Sequence, residues 1–86
     1  MSIVVGGVSF DRVVYDDIAD VLYLTVGQEP VRAADALATP EGHVVRYAET
    51  GEIVGITFVN AKWLSEKEGE LALFRVPSDD LAMALS

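Results

Sequence analysis

Short apolar runs, separated by glycine and proline, dominate the chain. The runs are rich in Val, Ile, Tyr, Phe and Thr, and the interruptions are Gly6-Gly7, Gly27, Pro30, Pro40 to Gly42, Gly51, Gly55, Gly69 and Pro77. This spacing is typical of consecutive strands with tight connections. It predicts an α+β fold that is mainly β: a small antiparallel meander or curled sheet of about five to six strands, with one or two short helices toward the C-terminus.

The first half of the chain predicts strands of unequal strength. Residues 21–26 alternate most clearly, since Leu22, Leu24 and Val26 fall on one face and Val21, Tyr23 and Thr25 on the other. Residues 3–5 fit a short edge strand, residues 8–15 a longer strand and residues 16–19 a turn. Residues 31–38 fit either an edge strand or an irregular segment.

The second half predicts a hairpin followed by helical segments. Residues 43–48 and 53–59 flank a tight loop at residues 49–52. Residues 60–69 favour one or two helical turns, with Asn60 placed to cap them. Residues 71–76 fit a strand or a helix extension, and the strand is preferred. Beyond Pro77, a short C-terminal helix begins with Ser78 as its N-cap.

Both faces of the predicted sheet carry apolar residues. In residues 53–59, Val54, Ile56 and Phe58 face one side, while Ile53 and Val59 face the other. In a sheet with one solvent-exposed face, apolar and polar residues alternate more strictly. Two short helices are also too few to cover a whole face of the sheet. The sheet must therefore curl on itself or meet a second subunit, and we expect a homodimer.

Length and charge narrow the class of protein. The 86 residues predict a single domain, residues 1–86, with a C-terminal strand and short helix in residues 70–86. The net charge of −8 disfavours nucleic acid and anionic membranes as partners. The absence of cysteine excludes disulfides and thiolate metal sites. No apolar stretch approaches a signal peptide or a membrane span, so a cytoplasmic location is expected.

The candidate chemistry is sparse. Asp16, Asp17 and Asp20 form the densest acidic cluster, but Val21 stands where a calcium loop counted from Asp16 needs glycine, so a turn fits better. His43 is the only histidine, and its sequence neighbours include no nucleophile or orienting group of the kind a general base needs. No nucleophile elbow or phosphate loop is present. The sequence therefore predicts no catalytic residue, cofactor or metal ligand, and a protein that is not an enzyme.

The aromatic residues suggest contacts of another kind. Tyr15 and Tyr23 bracket the acidic turn, and they come near one another if their strands pair. They then frame a small pocket or an interface, or serve as core or rim aromatics with satisfied hydroxyls. Trp63 follows the hairpin and is expected to form a lid on one end of the sheet.

Three ordered motifs resemble the bacterial family called domain of unknown function 2283. They are Tyr15-Asp16-x-x-x-Asp20-Val21-Leu22-Tyr23-Leu24, then Gly42-x-Val44-Val45-x-Tyr47, then Gly51-Glu52-Ile53-Val54-Gly55-Ile56, in a family-like core of about residues 15–64. The resemblance implies a small β-rich fold and no established activity or catalytic residues. Its members sometimes accompany small toxin-like proteins, which implies an antitoxin role as one option.

These observations lead to three hypotheses. The first is a non-enzymatic homodimeric interaction or structural module, whose fold-signature or interface residues are Tyr15, Asp16, Asp20, Leu22, Tyr23, Tyr47 and Trp63. The second is an acidic, antitoxin-like partner that masks a small basic protein. The third is a small-ligand or metal-dependent enzyme that uses Asp16, Asp20 and His43.

Overall fold

A computed structural model gives the structure of the protein and describes residues 2–27, 33–40, 42–68 and 83–85. Seven strands and an eight-residue helix lie within these ranges. They are β1 (Ile3–Val5), β2 (Val8–Phe10), β3 (Arg12–Asp16), β4 (Val21–Thr25), β5 (Asp35–Ala38), β6 (Val44–Tyr47), β7 (Ile53–Val59) and α1 (Ala61–Glu68). Residues 83–85 are also helical. The predicted mainly β fold with short helices is confirmed.

The strands form two antiparallel sheets. β1 and β2 make a two-stranded hairpin, and the other five strands are ordered β3-β4-β7-β6-β5. The last strand of the described residues, β7, therefore lies between β4 and β6, which is a Greek-key order. Among the described strands, β3 and β5 are the two edges of the larger sheet.

The β1–β2 hairpin turns on two glycines. Val5 pairs with Val8, and the intervening Gly6 and Gly7 have φ values of 58° and 81°. Two consecutive positive φ values are the mark of a type I′ turn, whose twist matches that of paired strands. Glycine adopts this conformation without a Cβ penalty.

The strand predicted at residues 8–15 is wrong in one respect, because it breaks at Asp11. Residues before the break belong to the small hairpin and residues after it to the large sheet. The Asp11 carboxylate accepts the backbone N–H of Gly27 at 2.9 Å, which fixes the bend to the end of β4. This extra break accounts for a strand count above the predicted five to six.

The core lies between the hairpin and one face of the large sheet, which we call the inner face. From the sheet it takes Leu22, Leu24, Val45, Ile56 and Phe58. From the covering layer it takes Ile3, Val5 and Phe10 of the hairpin, Ala61 of α1, and Leu85. The chain thus covers its inner face itself, with a second small sheet more than with helices.

The opposite side of the large sheet, the outer face, is more exposed. The strand registers place these side chains on it: Arg12, Val14, Asp16, Val21, Tyr23, Thr25, Val44, Arg46, Thr57 and Val59. Val14 is 44% exposed and Tyr23 is 40% exposed. Arg46 donates to the Thr57 hydroxyl at 2.8 Å, and Thr57 is buried. The expectation of apolar residues on both faces is confirmed, but the outward placement of Ile53 is wrong. The register shift at Arg46 and Tyr47 pairs Ile53 with Tyr47, and both pack against the core.

Several predicted elements coincide with the structure. The alternation of residues 21–26, the hairpin of β6 and β7 and the helix after residue 60 are all present. Of the two readings of residues 31–38, the edge strand is right for Asp35–Ala38. Residues 71–76 and the predicted N-cap Ser78 lie outside the described residues. In the described parts of the chain, no helix has the length and apolar character needed to cross a membrane.

Candidate functional site

The acidic turn between β3 and β4 closes on its own carboxylate. Oδ1 of Asp16 accepts the backbone N–H groups of Ile18 and Ala19, at 3.0 and 3.1 Å. This is the local side-chain bonding that makes aspartate a common turn residue. The predicted turn is therefore present, and one oxygen of Asp16 is engaged in it.

Asp20 connects this turn to α1. Its Oδ1 accepts the N–H of Lys62 at 2.8 Å, and its Oδ2 faces the N–H of Trp63 at 3.4 Å. The first N–H groups of a helix have no partner inside the helix, so a carboxylate here acts as a cap. The Asp20 backbone carbonyl also accepts the N–H of Ala61 at 3.1 Å. Asp20 has φ = 56°, a left-handed conformation that Asp tolerates better than most residues.

Tyr15 completes this group by donating its hydroxyl to Oδ1 of Asp20 at 2.8 Å. Burial raises the pKa of Tyr15 to about 12, and the bond to Asp20 and the nearby carboxylates act in the same direction. For Asp20, burial alone would raise the pKa. The hydrogen bonds from Lys62, Tyr15 and Trp63 outweigh it, and they hold this pKa below its ordinary value.

The capping role predicted for Asn60 passes in part to Asp20. The Asn60 backbone carbonyl accepts the N–H of Leu64 at 2.9 Å, which is the first hydrogen bond of the helix. The side-chain cap, however, is the carboxylate of Asp20, the residue that precedes β4. Asn60 itself has φ = 54°. Asparagine suits that left-handed position, which explains the residue type at the junction. Sequence reasoning missed the cap because its two partners lie far apart in the chain.

His43 is buried and extends the sheet ladder. Its Nδ1 accepts the backbone N–H of Val59 at 3.1 Å, and its ring meets Phe58 edge-on, with centroids 5.2 Å apart. An imidazole whose Nδ1 accepts a hydrogen bond carries its proton on Nε2. This nitrogen therefore replaces a backbone acceptor at the point where β6 begins.

The three residues of the enzyme hypothesis thus each have structural bonds. Asp16 and Asp20 hold backbone N–H groups, and so does His43. Among the described residues, no group of three histidines or acids is arranged to hold a metal ion. An open cleft of about 710 Å³ lies beside Tyr15, Asp17 and Lys62, but the Tyr15 hydroxyl at its wall is already bonded to Asp20.

The pairing of β3 with β4 separates the two tyrosines that the sequence placed together. Tyr15 is opposite Leu22 and faces inward, whereas Tyr23 is opposite Val14 on the outer face. Of the alternatives for these residues, a pocket framed by both tyrosines is wrong, because adjacent pairs point to opposite faces. A core aromatic with a satisfied hydroxyl is right for Tyr15, which packs against the core and donates to Asp20. Instead, Tyr23 lines a shallow outer groove of about 240 Å³ with Arg12, Val14 and Thr25.

The remaining predicted residues occupy different surroundings. Leu22 is fully buried, and Tyr47 is partly buried against the core. Trp63 is 53% exposed, with the Lys67 ammonium 4.4 Å from its ring centre. Trp63 lies on the exposed side of α1, so the lid expected over the sheet end is wrong. Its ring stacks with a cation in a surface contact.

The edge strand β5 is protected by one of its own residues. Just beyond β5, the backbone N–H of Thr39 donates to the His43 carbonyl. In the β5–β6 register, the backbone groups of Leu37 therefore point toward β6, and those of Ala36 and Ala38 point away. The N–H of Ala36 faces away, and Asp35 Oδ1 accepts it at 2.8 Å. Charged residues that occupy edge groups hinder pairing with other chains.

Comparison with protein families gives a match over more than half of the chain. The family described as "Protein of unknown function (DUF2283)" matches residues 12–62. The matched segment begins with β3 and ends at Lys62, whose N–H the Asp20 carboxylate accepts. Comparisons with curated proteins and with solved structures find no match.

Proposed function

The chain belongs to the DUF2283 family of proteins of unknown function, and from that premise we propose that it is a non-enzymatic, homodimeric domain that acts by binding protein. The polar atoms of the family-like motifs support a structural role for those residues. Asp16 closes a turn, Asp20 caps α1 and His43 extends the ladder of β7. Their acceptor atoms serve the fold.

The open outer face carries this proposal. Val14 and Tyr23 form a cross-strand pair on that face, and each remains at least 40% exposed. Half-buried Thr25 and Val44 continue the apolar surface on neighbouring strands. An exposed group of apolar and aromatic side chains on a regular sheet is typical of a protein contact.

The charge of this face favours a partner of the same kind as the chain itself. The register aligns Arg12, Thr25, Gly55 and Arg46 in one row across the sheet. The next row runs through Val14 and Tyr23, and in these two rows the described residues include no carboxylate. Asp16 lies in the third row, opposite Val21, so the positive charge of the face is concentrated in the row of Arg12 and Arg46. On a chain of net charge −8, that row attracts acidic surfaces, including those of another copy.

Sedimentation of the purified chain tests the proposal. At micromolar concentration we expect a species of twice the 9.3 kDa chain mass. Moderate salt should weaken the association, since opposite charges contribute to it. A single species of 9.3 kDa throughout the concentration range would contradict the homodimer.

An acidic partner for a small basic protein is the second candidate, and the tip of the β3–β4 turn favours it. Ile18 is 95% exposed and follows the exposed acids Asp16 and Asp17. An apolar side chain beside carboxylates suits a basic and apolar contact. Affinity capture from the native host, with Ile18→Ser and Asp17→Asn in parallel, should recover a small basic protein that the variants lose. Recovery of no such protein would contradict this role.

A further inference from the structure

The edge of the large sheet formed by β3 differs from the edge formed by β5. Within the described residues, β3 pairs with β4 alone. It contains neither proline nor a bulge in its register with β4, and these are two usual devices against edge pairing. Its outward backbone groups are therefore a template for another strand.

The hydrogen-bond pattern identifies which groups those are. Val26 N–H donates to the Val54 carbonyl at 3.0 Å, so Leu24 and Leu22 bond toward β7, and the residues between them bond toward β3. Tyr23 is opposite Val14. Val14 therefore bonds to β4, whereas Val13 and Tyr15 direct their N–H and C=O groups outward.

The sequence of β3 complements itself when read in the opposite direction. Around Val14 as the centre, Val13 is matched with Tyr15, and Arg12 with Asp16. An antiparallel copy thus places opposite charges together at both ends and apolar side chains between them. Opposite charges at facing positions stabilise a strand pair, whereas like charges there destabilise it.

We propose that two copies of this chain pair antiparallel along β3, around a twofold axis at Val14, to form one continuous ten-stranded sheet. This pairing rests on the proposed homodimer and places its contact at the β3 edge of the outer face, where Arg12 and Val14 lie. Val13 of each copy exchanges both backbone hydrogen bonds with Tyr15 of the other. Val14 meets Val14 as a pair without mutual hydrogen bonds, where side chains approach most closely.

Side chains on the outer face strengthen the joint. Tyr23 is directly opposite Val14 within each copy, so an apolar row runs from Tyr23 through both copies of Val14 to the second Tyr23. Arg12 lies opposite Asp16 of the other copy. Oδ1 of Asp16 holds its own turn, which leaves Oδ2 to accept the guanidinium.

A single cysteine tests the twofold axis directly, because the chain contains none. In the proposed pair the two Val14 Cα atoms are about 4.5 Å apart, a separation that a disulfide spans. Val14→Cys should form a covalent dimer rapidly under mild oxidation. Thr25→Cys is the matched control on the same face, since Thr25 lies on β4, one strand away from the proposed joint. Val4→Cys is an exposed valine control on β1.

The outcomes separate the two proposals. Fast cross-linking of Val14→Cys alone supports β3 pairing. Equal cross-linking of all three variants indicates random collision and overturns it. A wild-type dimer without a Val14→Cys disulfide overturns the β3 interface and leaves the homodimer intact. A monomeric wild type overturns both.

Charge reversal provides a second test that leaves the Asp16 turn untouched. Arg12→Asp replaces two attractive pairs with two repulsive ones, and we expect dimer affinity to fall about tenfold or more. Lys67→Asp makes the same change in net charge on α1 and should leave affinity unchanged. If Arg12→Asp and Lys67→Asp weaken the dimer equally, net charge is the cause and the β3 pairing is overturned. Thermal unfolding of each variant checks that it folds.

Discussion

The hydroxyl of Tyr15 donates to Oδ1 of Asp20, the same oxygen that accepts the N–H of Lys62 at the start of α1. One carboxylate therefore joins the end of β3, the residue before β4 and the first turn of the helix. The two aspartates of the motif have different roles: Asp16 closes the turn, and Asp20 caps the helix. This relationship explains why tyrosine and aspartate occur together in it.

Replacement of Asp20 should lower the free energy of unfolding in two separable ways, through loss of the helix cap and through backbone strain. Asp20→Gly removes the cap but tolerates φ = 56°, and we expect a loss of about 1 kcal/mol in the free energy of unfolding. Asp20→Ala also forces alanine into the left-handed region, for a total loss of about 2 kcal/mol or more. Urea denaturation measures both. Equal stability of the Gly and Ala variants would contradict the backbone contribution.

Acid should remove part of the stability that Asp20 provides. Burial opposes ionisation of Asp20, but its hydrogen bonds keep the pKa of the folded state below the ordinary value of 3.8. That contribution is fully present above the unfolded pKa and is lost as the pH falls through the folded pKa. The stability difference between wild type and Asp20→Asn should therefore shrink below about pH 3.8. A difference that does not vary with pH would exclude an ionised cap.

Tyr15 should make the chain sensitive to alkali. Its folded pKa of about 12 lies above the ordinary value of 10.0. The stabilisation is complete below pH 10 and is lost as the pH rises through 12. Ultraviolet absorbance of tyrosinate should show a step near pH 12 that Tyr15→Phe lacks. An identical titration in both proteins would show that the step near pH 12 does not come from Tyr15.

Asp35 should limit association at the other edge of the sheet. Asp35→Ala frees the N–H of Ala36, whereas Asp35→Asn keeps an oxygen that can accept it. If β3 joins two copies, the uncovered β5 edge allows longer assemblies, so Asp35→Ala should sediment as larger species at high concentration. The Asn variant controls for the lost charge. Identical behaviour of the two variants would assign the effect to charge alone.

The sequence was most informative where the pattern is local. The alternation of Leu22 and Leu24 predicted β4 and its buried face, and the loop before Ile53 predicted the hairpin of β6 and β7. The break at Asp11 was missed because the valines on both sides read as one strand. An aspartate inside an apolar run was the available signal, since Asp disfavours strands and its oxygen can bond a distant N–H.

Relationships across the sheet were less accessible. Whether Tyr15 and Tyr23 lie on the same face of the sheet depends on the register of β3 with β4, and the residue types alone do not determine that register. The cap from Asp20 to Lys62 joins residues 42 positions apart. Asn60, adjacent to the helix, was the local choice for that cap. The acidic turn, by contrast, was predicted correctly as structural, because its spacing fits hydrogen bonds to near neighbours.

The long separation between Asp20 and Lys62 also bears on the order of events as the chain folds. α1 has only eight residues, and isolated helices of that length are unstable in water. Its cap is absent until β3 and β4 have closed their turn and β7 has paired beside them. The helix should therefore form late, after the nucleus of strands. In native-state hydrogen exchange, the amide of Lys62 should open together with that turn rather than with the helix alone.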